Sequence, residues 1–279
     1  MNRAFAPAKV NLTLHVTGQR SDGYHLLDSL VCFADVGDWI TVEKATTTTI
    51  TVTGPMAHGV PIDSRNLAMR AADMMGLKAK ITLEKHLPAA AGIGGGSSDA
   101  AATLRALAAL YDMPLPNPNA LLELGADVPV CMGSQLMRMG GIGENITPLA
   151  DLPGWPMLLI NPRVSVPTGP VFQALPSKSN APMPDDLPLT NNINEFAAWI
   201  AAQRNDLQGP AIALQPLIAD VLAALQDTQS CLIARMSGSG ATCFALFETD
   251  DDRKAAAAAI KQANPSWWVA PTKMTAGPS

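Results

Sequence analysis

Leu87-Pro88-Ala89-Ala90-Ala91-Gly92-Ile93-Gly94-Gly95-Gly96-Ser97-Ser98-Asp99-Ala100 is the stretch on which the reading of this chain turns. Four glycines fall in five residues, directly ahead of an alanine-rich segment. A helix start leaves its first N–H groups unpaired and carries partial positive charge. Glycines before it allow positive φ and close approach of the backbone to a ligand. The combination predicts an anion site, most naturally for phosphate, with Ser97, Ser98 and Asp99 capping a helix over 97–111. It is neither of two familiar phosphate loops. A P-loop needs Lys and Ser/Thr after its last glycine, and the dinucleotide fingerprint G-x-G-x-x-G lacks its third glycine here.

Working outward, the alternation of Ala79, Ile81 and Leu83 predicts a strand feeding the loop, and Asn66–Met75 a helix before it. Val10, Leu12, Leu14 and Val16 alternate with polar residues and predict a strand over 10–16. Strands are also expected over 38–44 and 47–53, with a turn over 18–23. After Gly154 the pattern restarts. It reads as a strand at 157–160, a Pro-rich loop at 176–188, helices near 193–204 and 215–226, strands at 231–236 and 242–247, a helix at 251–263 and a strand at 267–270. Apart from one extra helix this is strand, helix, strand, strand, helix, strand, the split βαβ order of a ferredoxin-like unit. The expected division is therefore 1–155 and 156–279.

Composition narrows the function. The chain has 279 residues, 48% of them hydrophobic, with a formal net charge of −5. No apolar run reaches membrane-spanning length, and the first sixteen residues lack the pattern of a secretory leader. Four scattered cysteines without C-x-x-C spacing read as reduced core thiols of a cytoplasmic protein. Four histidines make a dedicated zinc site unexpected. Without a basic run, nucleic acid is not the expected partner, and neither is a membrane.

Other segments carry candidate chemistry with a plainer reading beside each. Asp99 reads locally as a cap. Asp127, in Gly125-Ala-Asp127-Val-Pro129, is either a cap or a carboxylate in a dry pocket, and local chemistry favours the cap. Lys9 alone is a solvated strand lysine; meeting Asp127 near the loop, the two make a general base beside a cation. Ser237-Gly238-Ser239-Gly240 is a hairpin turn or a second wall of the phosphate site. Gly23-Tyr24-His25 is a surface turn or a stacking element for a planar ring.

The series Pro7-Ala-Lys9-Val-Asn11, Gly23-Tyr24-His25, Pro88 to Ala100, Gly125 to Pro129 and Ser237 to Gly240 resembles the GHMP small-molecule kinases nearly end to end. The Gly-Tyr-His and Gly-Ala-Asp-Val-Pro segments resemble the branch whose acceptor is a cytidine-diphosphate-linked polyol of isoprenoid precursor synthesis. The Gly-Glu-His of the sugar and mevalonate kinases is absent. The resemblance implies an α+β, two-domain fold: a unit like the second domain of ribosomal protein S5, then a ferredoxin-like unit. It implies ATP with Mg²⁺ on the loop (Pro88 to Ser98), Asn66 and Lys85 beside the adenine, Asp127 as base and Lys9 as its partner. On the acceptor side it implies Asn11, Tyr24, His25, Thr168, Phe172, Gly238 and Ser239, with Tyr24 and Phe172 sandwiching the cytosine. Val31 and Cys32 stand where some members carry a bulky aromatic, and no acidic metal ligand accompanies the loop. Rival readings are a kinase for homoserine, mevalonate derivatives or a sugar, a nucleotide-binding module, and a dinucleotide oxidoreductase.

Overall fold

A computed structural model describes residues 1–133, 135–150 and 152–275. The first part holds strands β1 (Asn2–Asn11), β2 (His15–Gln19), β3 (His25–Lys44), β4 (Thr49–Thr53), β5 (Ala79–Glu84), β6 (Met137–Gly141) and β7 (Asn145–Pro148). Its helices are α1 (Leu67–Met74), α2 (Gly95–Tyr111), α3 (Pro118–Leu124) and α4 (Val128–Met132). The second holds β8 (Pro156–Asn161), β9 (Cys231–Met236), β10 (Cys243–Phe247) and β11 (Trp268–Thr275), with α5 (Thr168–Gln173), α6 (Ile193–Ala202), α7 (Gln208–Leu214), α8 (Leu217–Gln226) and α9 (Asp250–Ala263).

β3 is the spine of the first part. β1 and β2 pair with it along one edge, and β6, β11 and β5 along the other. Its segment from Asp28 to Ala34 is buried at every position. That explains why alternation misses the strand before Asp38: a strand covered on both faces has no polar face to alternate with. In the second part the order is β11-β8-β10-β9, every neighbour antiparallel. This is the ferredoxin-like order expected, with α5 to α8 in its first crossover rather than two helices. The end of β11 pairs with β3 through Met274↔Ala34, so one sheet runs across both parts. One apolar core also spans them, bringing Ala8, Val10 and Leu30 together with Met157, Phe196 and Phe244.

Two local expectations are corrected. The strand over 10–16 is broken: β1 ends at Asn11 and β2 begins at His15. Between them Thr13 is fixed by side chains, its Oγ1 accepting from Leu30 N at 2.8 Å and its carbonyl from Ser29 Oγ at 2.5 Å. This break lets Asn11 and His15 serve different neighbourhoods. The second correction concerns α2, which starts at Gly95, with Gly94 as N-cap at φ 62° and no side-chain cap. Ser97, Ser98 and Asp99 therefore lie inside the first turns. Alanines 100, 101, 102 and 106 are buried and let α2 lie close against β1 and β3. Leu104 and Leu107 are fully buried, each contributing roughly 1.5–3 kcal/mol.

Cys32, Cys131, Cys231 and Cys243 are free. Among the described residues no helix is long and apolar enough to cross a membrane.

Candidate active site

The glycine-rich loop is fixed from outside by its carbonyls. Ala91 O accepts from Thr242 N at 3.1 Å, Ile93 O from Lys9 N at 3.0 Å and Gly92 O from Ser237 Oγ at 2.9 Å. With the carbonyls turned onto β1 and the Ser237–Gly240 loop, the N–H groups of Gly95, Gly96 and Ser97 open the helix without a partner among the described residues. The N–H of Ser98 is already used on Gly94 O at 2.8 Å, so the cradle closes one residue earlier than Ser98. Three unpaired donors at one helix start form an anion-binding concavity.

Glycine is required at two points where backbones touch. A β-carbon on Gly92 (φ 73°) would lie 2.4 Å from Ser237 O, and one on Gly238 (φ 56°) 2.7 Å from Gly92 O. The two glycine loops thus interlock. Asn205 holds the second from behind, its Nδ2 donating to Met236 O at 2.8 Å and Gly238 O at 2.9 Å. No motif in the sequence signals Asn205.

A cleft of about 840 Å³ opens over these loops. Lys9 crosses its floor with its stem against Gly94, only 3% exposed, and its ammonium donates to Asp127 Oδ2 at 2.8 Å. Asp127 precedes α4 but makes no capping hydrogen bond, so the local preference for a cap is overturned by a partner 118 positions away. Its side chain is 34% exposed, which leaves the carboxylate reachable from the cleft. The structure therefore brings an anion cradle, a carboxylate and a buried ammonium together.

At the other end stand Tyr24, His25, Phe172, Thr168, Ser239 and Lys178. The rings of His25 and Phe172 stack at 4.7 Å and 25°. Tyr24 is 58% exposed on the same rim, with no ring partner among the described residues. The ring already against Phe172 is thus His25, not Tyr24. His25 Nε2 is buried without a hydrogen bond among the described residues. Burial, then the charge of Lys178, lowers the His25 pKa. Thr168 Oγ1 and Ser239 Oγ share a hydrogen bond of 3.0 Å. Asn11 is buried; its Nδ2 donates to Ser29 Oγ at 2.8 Å, and its Oδ1 has no partner.

Six of the expected nucleotide contacts do not present a side chain to the cleft. Pro88 and Ala89 do not line the cleft, and the side chains of Ile93 and Ser98 are buried. Asn66 caps α1, its Oδ1 accepting from Ala68 N and its Nδ2 donating to Pro61 O at 2.7 Å; its neighbour Leu67 reaches the cleft instead. Lys85 is buried with its ammonium between Asp38 and Asp99, while its own N–H and carbonyl are bonded to Thr53 and Met56. Asp99, expected as a cap, is the buried partner of Lys85 at 2.8 Å.

A two-part α+β fold whose parts meet at a glycine-rich anion cradle, with a carboxylate–lysine pair beside it, defines a class. The chain belongs to the GHMP kinase family: residues 66–136 match the model of the GHMP kinases N terminal domain and 186–266 that of the GHMP kinases C terminal. Within that family it is 58% identical, over 98% of this chain and 99% of the relative, to 4-diphosphocytidyl-2-C-methyl-D-erythritol kinase of Cereibacter sphaeroides (strain ATCC 17029 / ATH 2.4.9). It is 56% identical to the protein of that name from Dinoroseobacter shibae, over 96% of this chain and 93% of the relative. A crystal structure of 4-(cytidine 5'-diphospho)-2C-methyl-D-erythritol kinase superposes with a TM-score of 0.79 at 34% identity, covering 98% of this chain and 99% of that one. A homoserine kinase from Cytophaga hutchinsonii shares the fold at a TM-score of 0.67 and 18% identity.

Proposed function

We propose that this chain transfers the γ-phosphoryl group of ATP to the 2-hydroxyl of 4-diphosphocytidyl-2-C-methyl-D-erythritol, in the cytoplasm, as a step of non-mevalonate isoprenoid precursor synthesis. The observation that carries the reading is the meeting of three free helix N–H groups with the Lys9–Asp127 pair in one cleft. The high identity to relatives bearing that enzyme's name supports the choice of acceptor. We place the division between the two units near residue 155, just before β8.

Phosphoryl transfer needs in-line placement and stabilised oxygens more than covalent help from protein. ATP enters as its magnesium complex, a substrate rather than a resident cofactor; among the described residues no three His, Cys, Asp or Glu groups converge on a metal position. The N–H groups of Gly95 to Ser97 receive phosphate oxygens, and the α2 dipole adds to their field. Asp127 takes the proton of the attacking hydroxyl. The new bond joins that oxygen to the γ-phosphorus as the bridge to the β-phosphate breaks, and ADP leaves with the electron pair. Lys9 orients Asp127 and offsets charge on the transferring group. The Thr168–Ser239 pair offers polar contacts to the acceptor and Asn11 lines the same cleft, while His25, Phe172 and Tyr24 surround its base.

A coupled assay of ADP release, with ATP and this acceptor against homoserine, mevalonate and galactose, tests the reading. Turnover confined to the cytidine-linked acceptor is expected, together with thermal protection by CDP or CMP. Turnover on another acceptor in preference overturns it.

A further inference from the structure

Beneath the cradle lies a charge cluster that the reaction above does not use. Lys85, the residue after β5, is 3% exposed and its ammonium contacts Asp38 of β3 and, at 2.8 Å, Asp99 Oδ2 of α2. Asp38 is well satisfied, its Oδ1 accepting from His86 N at 2.6 Å and Leu87 N at 2.8 Å. Asp99 is not: its Oδ1 is buried with no partner among the described residues. The cluster touches the cradle directly, since Lys85 Nζ lies 3.3 Å from where a β-carbon on Gly95 would stand. One ammonium thus faces two buried carboxylates, under a helix start that must receive a polyanion. With both carboxylates ionised the cluster carries a net negative charge there, opposed to the helix dipole and to the incoming phosphates.

Resting on the reading of the loop as a nucleotide cradle, we propose that Asp99 is a positioning residue whose carboxyl takes up a proton as the triphosphate docks, leaving a neutral cluster in which Lys85 holds the first turn of α2 for the phosphates. The geometry supplies the motive: an orphaned carboxylate oxygen inside a two-to-one ion cluster. Burial, with the charge of Asp38 added to it and Lys85 pulling the other way, pushes the Asp99 carboxyl up to about 7. The groups facing it are few. The segment after β5 brings Lys85, β3 brings Asp38, and α4 brings the Cys131 thiol, which burial pushes up to about 12. β1 brings Lys9, engaged with Asp127. The charged residues of α1, Arg70 and Asp73, are exposed.

The test needs nucleotide alone. Binding of ADP with magnesium is measured by calorimetry from pH 6 to 8.5, for the native chain and for Asp99→Asn, which retains an acceptor for Lys85. Native affinity should weaken as pH rises through neutrality. Asp99→Asn should bind with similar affinity at pH 6 and about fivefold more tightly than the native chain at pH 8.5, the scale of one unit charge near a bound polyanion. Titration of the nucleotide itself is common to both proteins and cancels in the ratio. As a measurement independent of the variant's folding, native binding at pH 7.5 in two buffers of different ionisation enthalpy should reveal proton uptake. Parallel pH profiles, or no uptake, overturn the proposal and leave the kinase reading standing. Absence of nucleotide binding by the native chain at every pH overturns both.

Discussion

Lys9 Nζ lies 2.8 Å from Asp127 Oδ2, and the two residues are delivered by the end of β1 and the start of α4. The lysine is buried while the carboxylate keeps a face to the cleft. A buried cation beside a reachable carboxylate suits a base that must be held in one orientation during proton transfer.

Asp127→Asn should therefore lower kcat by about 10²–10⁴-fold while nucleotide affinity stays within a few-fold of native. Lys9→Ala should also lower kcat, by about 10²-fold, because it removes both the orienting contact and the local positive charge. Steady-state kinetics and nucleotide titration on the same preparations check both. Near-native turnover in Asp127→Asn removes that residue from the base role, and a Lys9→Ala effect confined to ATP affinity reduces Lys9 to a binding group.

The interlocked glycine loops make Gly92 a position where substitution has two separable effects. Positive φ alone costs an alanine about 1–2 kcal/mol. At Gly59 (φ 77°) a β-carbon meets nothing within 4 Å, whereas at Gly92 it meets the facing loop at Ser237 O and at the N and O of Gly240. Gly59→Ala should lose only that modest stability and keep its activity. Gly92→Ala should lose nucleotide binding, because the cradle can move only by breaking the Ser237 and Thr242 contacts. Thermal melts with and without ADP compare the two; equal ligand-induced shifts would show that the loops are not interlocked in solution.

Ser237 joins the same loops from the other side. Its hydroxyl accepts from Asn11 N at 3.0 Å and donates to Gly92 O at 2.9 Å. Ser237→Ala leaves a buried N–H and a carbonyl unpaired, which should cost about 1–3 kcal/mol in a denaturant melt. Because both the nucleotide loop and the Asn11 end of β1 lose an anchor, KM should rise for both substrates. A rise for only one would mean that the hydroxyl serves one loop.

How much of this was legible in the sequence depended on where each residue's partner lies. Glycines announce positive φ locally, so the loop could be read from residues 92 to 96 alone. Asp127 could not be assigned locally, because the lysine that displaces the capping reading is 118 residues away. Asn66 and Lys85 show the converse, a neighbourhood given by resemblance with the side-chain direction left open. Both turn away from the cleft into a helix cap and a buried ion cluster. Ser97 to Asp99 suggested a cap by composition, yet the preceding glycine had already started the helix. The part of β3 before Asp38 escaped because burial on both faces from Asp28 to Ala34 erases its period.

The rim of the acceptor pocket yields the last prediction, through His25. Its ring stacks on Phe172, its Nε2 is buried and unpartnered, and burial with Lys178 lowers its pKa below the ordinary 6.5. The ring is therefore neutral at pH 7. A histidine whose folded pKa is depressed destabilises the fold as pH falls: the unfolded chain begins to take up the proton near 6.5, and the folded chain does so only further down. His15, lowered mainly by burial, acts in the same direction. The histidine share of stability should thus be level above about pH 6.5 and decline below it; the raised carboxyl of Asp99 acts with the opposite sign, so the His25 share is read as the difference between the native chain and His25→Gln. The acceptor KM should rise only further down, as pH falls through the depressed folded pKa of His25, since a charged ring against Phe172 and Lys178 no longer fits an uncharged base. Removing the nearby charge with Lys178→Gln should raise the His25 pKa, and the change should be visible as a displaced imidazole titration by NMR. Tyr24→Ala, in contrast, should raise the acceptor KM about equally at every pH, by the several-fold that losing an aromatic stack of about 0.5–1.5 kcal/mol implies, with the KM for ATP unmoved. An acceptor KM that is flat down to pH 5 in the native chain would exclude His25 from the pocket, and an unchanged KM in Tyr24→Ala would exclude Tyr24.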